Sequence, residues 1–186
     1  MEILTQLNSF CDATYSEIIY DSDIHPMNRN HFAFSVAGRH NVGIIIITDK
    51  GYSFGSYVSQ VPQIPTVKRS SISEGKSFIF TLNSPTIPPT KFERTDYCIP
   101  RMTVDQSLEI YKYDKSESIR YNFAINYAFG FWDNQLFKDE SGYLYFGIEG
   151  SFVGKPTHED LTGIKQRMPS ANSYFPIARI VVVQFY

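Results

Sequence analysis

Residues 42–82 constrain this chain more than any other stretch. They open with an apolar, β-branched run that holds four consecutive isoleucines at 44–47. Such a run suits a strand covered on both faces. Asp49-Lys50-Gly51 supplies turn chemistry, and Tyr52-Ser53-Phe54-Gly55-Ser56-Tyr57 returns as the partner of a hairpin. Residues 77–82 add a third strand, with Phe78, Phe80 and Leu82 on one face. Three adjacent strands sketch the middle of a β-sheet. None of them carries a nucleophile or metal-ligand motif.

The rest of the chain extends the sheet theme. Ile3, Leu4, Leu7, Phe10 and Cys11 recur at helical spacing, which predicts a helix or arm over 1–14. Residues 18–21 form a brief apolar segment, ended near His25-Pro26. Asn28 or Asn30 is placed to cap a short helix over 31–37, although alternation of Phe32, Phe34 and Val36 also permits an extended segment. Residues 60–73, with two prolines and the basic pair Lys68-Arg69, read as a surface loop. Thr103 and Gln106 have capping-box spacing and predict a helix to about residue 111, with a strand as the alternative. Alternation over 121–126 and the aromatic run 143–148 predict two more strands. The valine-rich stretch 177–186 predicts a last, buried one, which the domain needs in order to close its sheet.

Length and composition set the class. A chain of 186 residues is read as a single domain, 1–186. Aromatic residues make up 16%, which favours half-buried pleated surfaces. Regular strand–helix alternation is missing, so a doubly wound parallel sheet is not expected. The expected fold is α+β and β-rich: a two-sheet antiparallel β-sandwich with flanking short helices. A net charge of −2 gives no broad electropositive excess for phosphate, so nucleic-acid binding is not favoured. Two cysteines without a metal-like neighbourhood point to a reducing compartment. The N-terminal residues do not read as a signal peptide, and no apolar stretch approaches the roughly 20 residues of a membrane span. The expected location is the cytoplasm, with the nucleus as the alternative, and no membrane insertion.

Several of these segments, in this order, resemble the TLDc domain family. The likeness begins at Ile19-Tyr20-Asp21-Ser22 and continues through 42–48 and the phenylalanine-glycine turn at Phe54-Gly55. It goes on through the aromatic strand 77–82, Tyr127-Ala128-Phe129-Gly130, Tyr143-Leu144-Tyr145-Phe146 with the following Gly154, and the closing stretch 174–180. It spans about 15–186. Two departures mark a divergent member. Phe131-Trp132-Asp133-Asn134 stands where the family usually has further glycines, and Val181 and Val183 stand near its usual glutamate and tryptophan. The resemblance implies a two-sheet sandwich with peripheral helices and a role in resistance to oxidative damage. It further implies, for some members, a protein partner in the vacuolar proton-pumping ATPase. It carries over structural positions only: Phe54, Gly55, Phe129 and Gly130.

The remaining polar and reactive residues give weak candidates. Gly55 and Gly130 each follow a phenylalanine; they mark either close approach to a partner or a bulge or turn needing positive φ. Cys11 and Cys98 are candidate redox thiols, Cys98 having Arg94 and Arg101 near it in sequence, against the ordinary reading of small buried apolar residues. His25, His31, His40 and His158 lack ligand spacing, so no metal or other cofactor is expected. Glu149, His158, Glu159 and Asp160 form an acidic-leaning region; Glu159-Asp160 reads best as the first turn of a helix after Thr157. Lys68 and Arg69, before two serines, and the single tryptophan Trp132 are candidate partner contacts. Three functions follow. The favoured one is a non-enzymatic interaction module in the oxidative-stress response. The second is a stress-responsive regulator that binds nucleic acid through Lys68, Arg69, Lys112 and Lys115. The third is an enzyme or thiol sensor.

Overall fold

The computed structural model describes residues 2–26, 29–64, 69–72, 76–95, 108–111, 121–125, 128–132 and 142–186. In chain order the elements are α1 (Glu2–Cys11), β1 (Ser16–Asp21), α2 (Arg29–Val36), β2 (His40–Thr48), β3 (Ser53–Gln60) and β4 (Arg69–Ile72). Next come β5 (Phe78–Asn83), β6 (Thr90–Glu93), β7 (Leu108–Tyr111), β8 (Tyr121–Ile125), β9 (Phe129–Trp132) and β10 (Gly142–Leu144). The chain ends with α3 (Ile148–Ser151), α4 (His158–Thr162), β11 (Ser173–Phe175) and β12 (Ile177–Phe185). The strands form two six-stranded sheets, ordered β1-β12-β2-β3-β5-β6 and β11-β10-β9-β8-β7-β4. Every described pairing is antiparallel. The protein is therefore a β-rich two-sheet sandwich with short helices.

The isoleucine run explains the layering. Val42, Ile44 and Ile46 join the cluster between the sheets, together with Phe54, Phe129, Leu144 and Phe175. Ile45 belongs to a second cluster on the other face of the first sheet, and Ile47 packs against it. That outer face is roofed by α1, whose Leu7 is fully buried and whose Phe10 and Cys11 pack alongside. Both faces of β2 thus leave water, which is why its sequence does not alternate. The turn after it closes with the Gly51 N–H donating to the Thr48 carbonyl at 3.0 Å, and Gly51 takes φ +80°.

α2 settles the ambiguity at 31–37 in favour of the helix. Phe32, Ala33 and Val36 are buried, while Phe34, which alternation would have put beside Phe32, is 72% exposed. The Phe32 ring meets Tyr20 of β1 edge-on at 5.5 Å and Phe131 of β9 at 5.0 Å, so this helix ties the two sheets together. Asn30 lies inside α2 and is no cap; Asn28 lies outside the described residues.

Three expectations need correction. The loop expected over 60–73 contains β4, which pairs with β7 from Arg69↔Tyr111 to Ile72↔Leu108. The helix expected to reach residue 111 ends instead in strand β7, held between β4 and β8; residues 103–107 lie outside the described residues. Cross-strand pairing on both sides supplies backbone partners that a lone short helix lacks. The strand expected over 143–148 stops at Leu144, and Ile148 already begins α3.

Candidate functional site

The two phenylalanine-glycine motifs meet. Phe54 on β3 and Phe129 on β9 face each other across the sandwich, ring centres 5.3 Å apart and 82° between planes. Phe175 closes on Phe54 from β11 at 5.5 Å. Gly55 points to the opposite face. A Cβ there would lie 1.9 Å from the Ile44 carbonyl oxygen and 2.9 Å from the tip of Phe80. Gly55 thus closely approaches its own sheet, at an ordinary φ rather than the positive φ of a turn. A register shift between Ser53 and Phe54 against β5 puts an irregularity beside it. Gly130 is buried, paired with Ala124 and Tyr143.

The candidate contacts separate less than their sequence distance suggests. Trp132 pairs with Tyr121 at the end of β9, and Arg69 pairs with Tyr111 at the start of β4. The register brings both backbones to the same end of the second sheet, three strand spacings or roughly 14 Å apart. The side chains of both, together with Lys68, Lys112, Lys115 and Cys98, lie outside the described residues. Cys11 is described. Burial where the end of α1 meets the outer face of the first sheet pushes its thiol up to about 12, so it carries almost no thiolate at neutral pH.

A corner that sequence reasoning missed carries three exposed apolar side chains among the described residues. Phe146, Met168 and Tyr174 are 39%, 61% and 47% exposed. The Phe146 N–H donates to Asn172 Oδ1 at 3.0 Å, and Gln166 Nε2 donates to the Phe146 and Ala171 carbonyls, both at 3.1 Å. Tyr174 lies on β11 opposite Tyr143 of β10. The loop carrying Met168 is launched by Gly163, which ends α4 at φ +71° beneath the Tyr52 ring. The aromatic run 143–148 was the available sequence signal. Its reading as one strand hid the outward turn of Phe146.

Under this corner sits His158. It is buried at the first position of α4, which carries the helix start expected after Thr157, here as a reciprocal Thr157–Asp160 capping box. Its Nε2 lies 3.1 Å from the Tyr145 carbonyl and its Nδ1 2.6 Å from Ser173 Oγ. A carbonyl only accepts, so Nε2 carries the hydrogen; in the neutral ring Nδ1 then accepts from the Ser173 hydroxyl. Burial holds the imidazole below its ordinary value, opposed by the Tyr145 hydrogen bond and the charge of Glu149. Ser173 is buried as well, so the pair fastens β11 to the end of β10 rather than meeting a substrate.

A second polar tie lies at the edge of the first sheet. Arg179 Nε donates to Asp21 Oδ1 at 2.9 Å, and its Nη2 bonds Oδ2. The guanidinium holds the Asp21 carboxyl below its usual range. A cavity of about 550 Å³ between α1 and the β2–β3 turn is lined by Gln6, Ile47, Ser53, Leu82, Asn83 and Pro89, none of which titrates near neutral pH. Among the described residues, no three His, Cys, Asp or Glu gather as a metal site, and no helix is long and apolar enough to cross a membrane. No protein-family model matches the chain, and no curated protein matches it.

Proposed function

We propose that this chain is a non-enzymatic, TLDc-type interaction module that acts in the cytoplasmic, or nuclear, response to oxidative stress by docking a protein partner. The observation that carries the reading is the corner of Phe146, Met168 and Tyr174: three exposed apolar side chains on a sandwich, with the backbone at Phe146 fixed by Gln166 and Asn172. Exposed aromatic anchors on an ordered frame are the usual material of a binding hot spot. The order of the sequence motifs and the two-sheet architecture support the family part of the proposal. By that resemblance, a subunit of a vacuolar proton-pumping ATPase is the first partner to try. The weak acidity of Cys11 argues against a thiol sensor at that position.

The test is partner capture from cells with and without peroxide, using wild-type protein and a Phe146→Ser/Tyr174→Ser variant shown to be folded by circular dichroism. Capture that rises with peroxide and drops at least tenfold in the variant supports the reading. Equal capture by both proteins would move the contact surface elsewhere.

A further inference from the structure

The same histidine that fastens the exposed corner is its one buried imidazole among the described residues. Tyr145 precedes Phe146, and Ser173 precedes Tyr174. Both hydrogen bonds of His158 therefore end on the residue next to an exposed aromatic. We propose that His158 makes this corner proton-responsive: protonation reverses the Ser173–His158 hydrogen bond and puts a charge in a buried site, which loosens the segments that display Phe146 and Tyr174 and weakens partner docking as pH falls. This rests on the reading of the corner as a contact surface.

The chemistry is a proton count. In the neutral ring each nitrogen has one complementary partner. A proton arriving from solvent at Nδ1 turns an acceptor into a donor facing the Ser173 hydroxyl. That hydroxyl must rotate its own hydrogen away and becomes an acceptor, in a buried site. The new positive charge also sits in the first turn of α4, where helix N–H groups already point. Opening the corner lets the imidazolium reach water, so protons favour the open form.

The surrounding charges temper this. Glu149 on α3 acts on the ring and favours the proton. Asp160 is turned back onto Thr157 and Thr86, and Glu159 lies 3.9 Å from Lys165. Arg167 lies in the loop beyond Lys165; Tyr145 and Tyr174 flank the hydrogen bonds; and Tyr52 packs at the far end of α4 against Gly163.

The experiment is amide hydrogen exchange on the full chain from pH 7.5 to 5.5, corrected for intrinsic exchange rates. Protection at residues 145–147 and 173–175 is expected to fall by up to about 10-fold, the ratio set by an imidazole that titrates near 6.5 once released. Protection in β2 should stay level. His158→Gln should flatten the corner's pH profile. The exposed Glu149→Gln should move the wild-type midpoint to lower pH, a shift that a purely structural role would not produce. A pH-independent corner in wild type, or an unmoved midpoint in Glu149→Gln, overturns the proposal. Exchange is read without any partner, so it stands apart from capture. A responsive corner whose Phe146→Ser/Tyr174→Ser variant still captures the partner refutes the contact surface, and with it the docking clause, while leaving the proton device in place.

Discussion

Phe54 holds the middle of the sandwich because two rings from the opposite sheet close on it, Phe129 at 5.3 Å and Phe175 at 5.5 Å. Truncating it leaves a hole that the sheets cannot collapse into. Phe54→Ala is expected to cost about 4 kcal/mol in urea unfolding, and a double-mutant cycle with Phe129→Leu should give a coupling near 1 kcal/mol. A cycle that sums to zero would mean the rings do not act together. Gly55 is the complementary case, since its hydrogen faces a carbonyl oxygen that a methyl group would strike. Gly55→Ala should cost about 3 kcal/mol, toward the upper end for overpacking; a loss under half a kcal/mol would show that β2 yields easily. Both residues stood out in the sequence as a phenylalanine-glycine pair. Their neighbours did not, because ring-to-ring contact between distant strands leaves no local periodicity.

Elements whose environment is set nearby were legible, and those set by distant pairing were not. β2 and β3 could be read because the turn at 49–51 joins them and the isoleucine run fills both faces. α1 was legible from its helical spacing, though not its place over the outer face of the first sheet. Its Leu7 is fully buried there, and Leu7→Ala is expected to cost about 3 kcal/mol and to expose part of that face, read as increased dye binding before global unfolding. Unchanged stability would mean that α1 rests loosely on the sheet. β4 was missed because it is a four-residue edge strand paired with β7, and β7 was read as helix before strand because its partners β4 and β8 lie elsewhere in the chain. A capping pattern at 103–106 pointed locally to helix, and pairing with β8 outweighed it. The corner at Phe146 was illegible for a similar reason: a glutamine and an asparagine some 20 residues downstream hold it, and amide hydrogen bonds have no sequence pattern.

At the scale of the whole molecule, stability should fall with pH through two groups in two separate ranges. His158, held below its ordinary value, binds a proton less readily folded than unfolded. Its contribution therefore starts to fade as pH drops below about 6.5. Asp21 is the opposite type of group with the same trend. Its carboxyl is held low by Arg179, so its contribution is present above about pH 4 and lost as pH falls further. Asp21→Asn should lower the urea midpoint at pH 7 and flatten the curve between pH 4 and 2, while leaving the limb between 6.5 and 5 unchanged. Parallel curves for variant and wild type would show that the ion pair does not link β1 to β12 energetically.

β12 has a consequence for biosynthesis. It occupies the second position in its sheet, between β1 and β2, yet it follows every other described strand in the chain. Until β12 is made, β1 lacks its described strand partner and the isoleucine-rich border of β2 stands open to any passing strand. At roughly 5–20 residues per second, that exposure lasts for several seconds after β2 appears. Truncation before β12 is therefore expected to yield an aggregation-prone fragment rather than a shortened working protein, read as loss from the soluble fraction on expression.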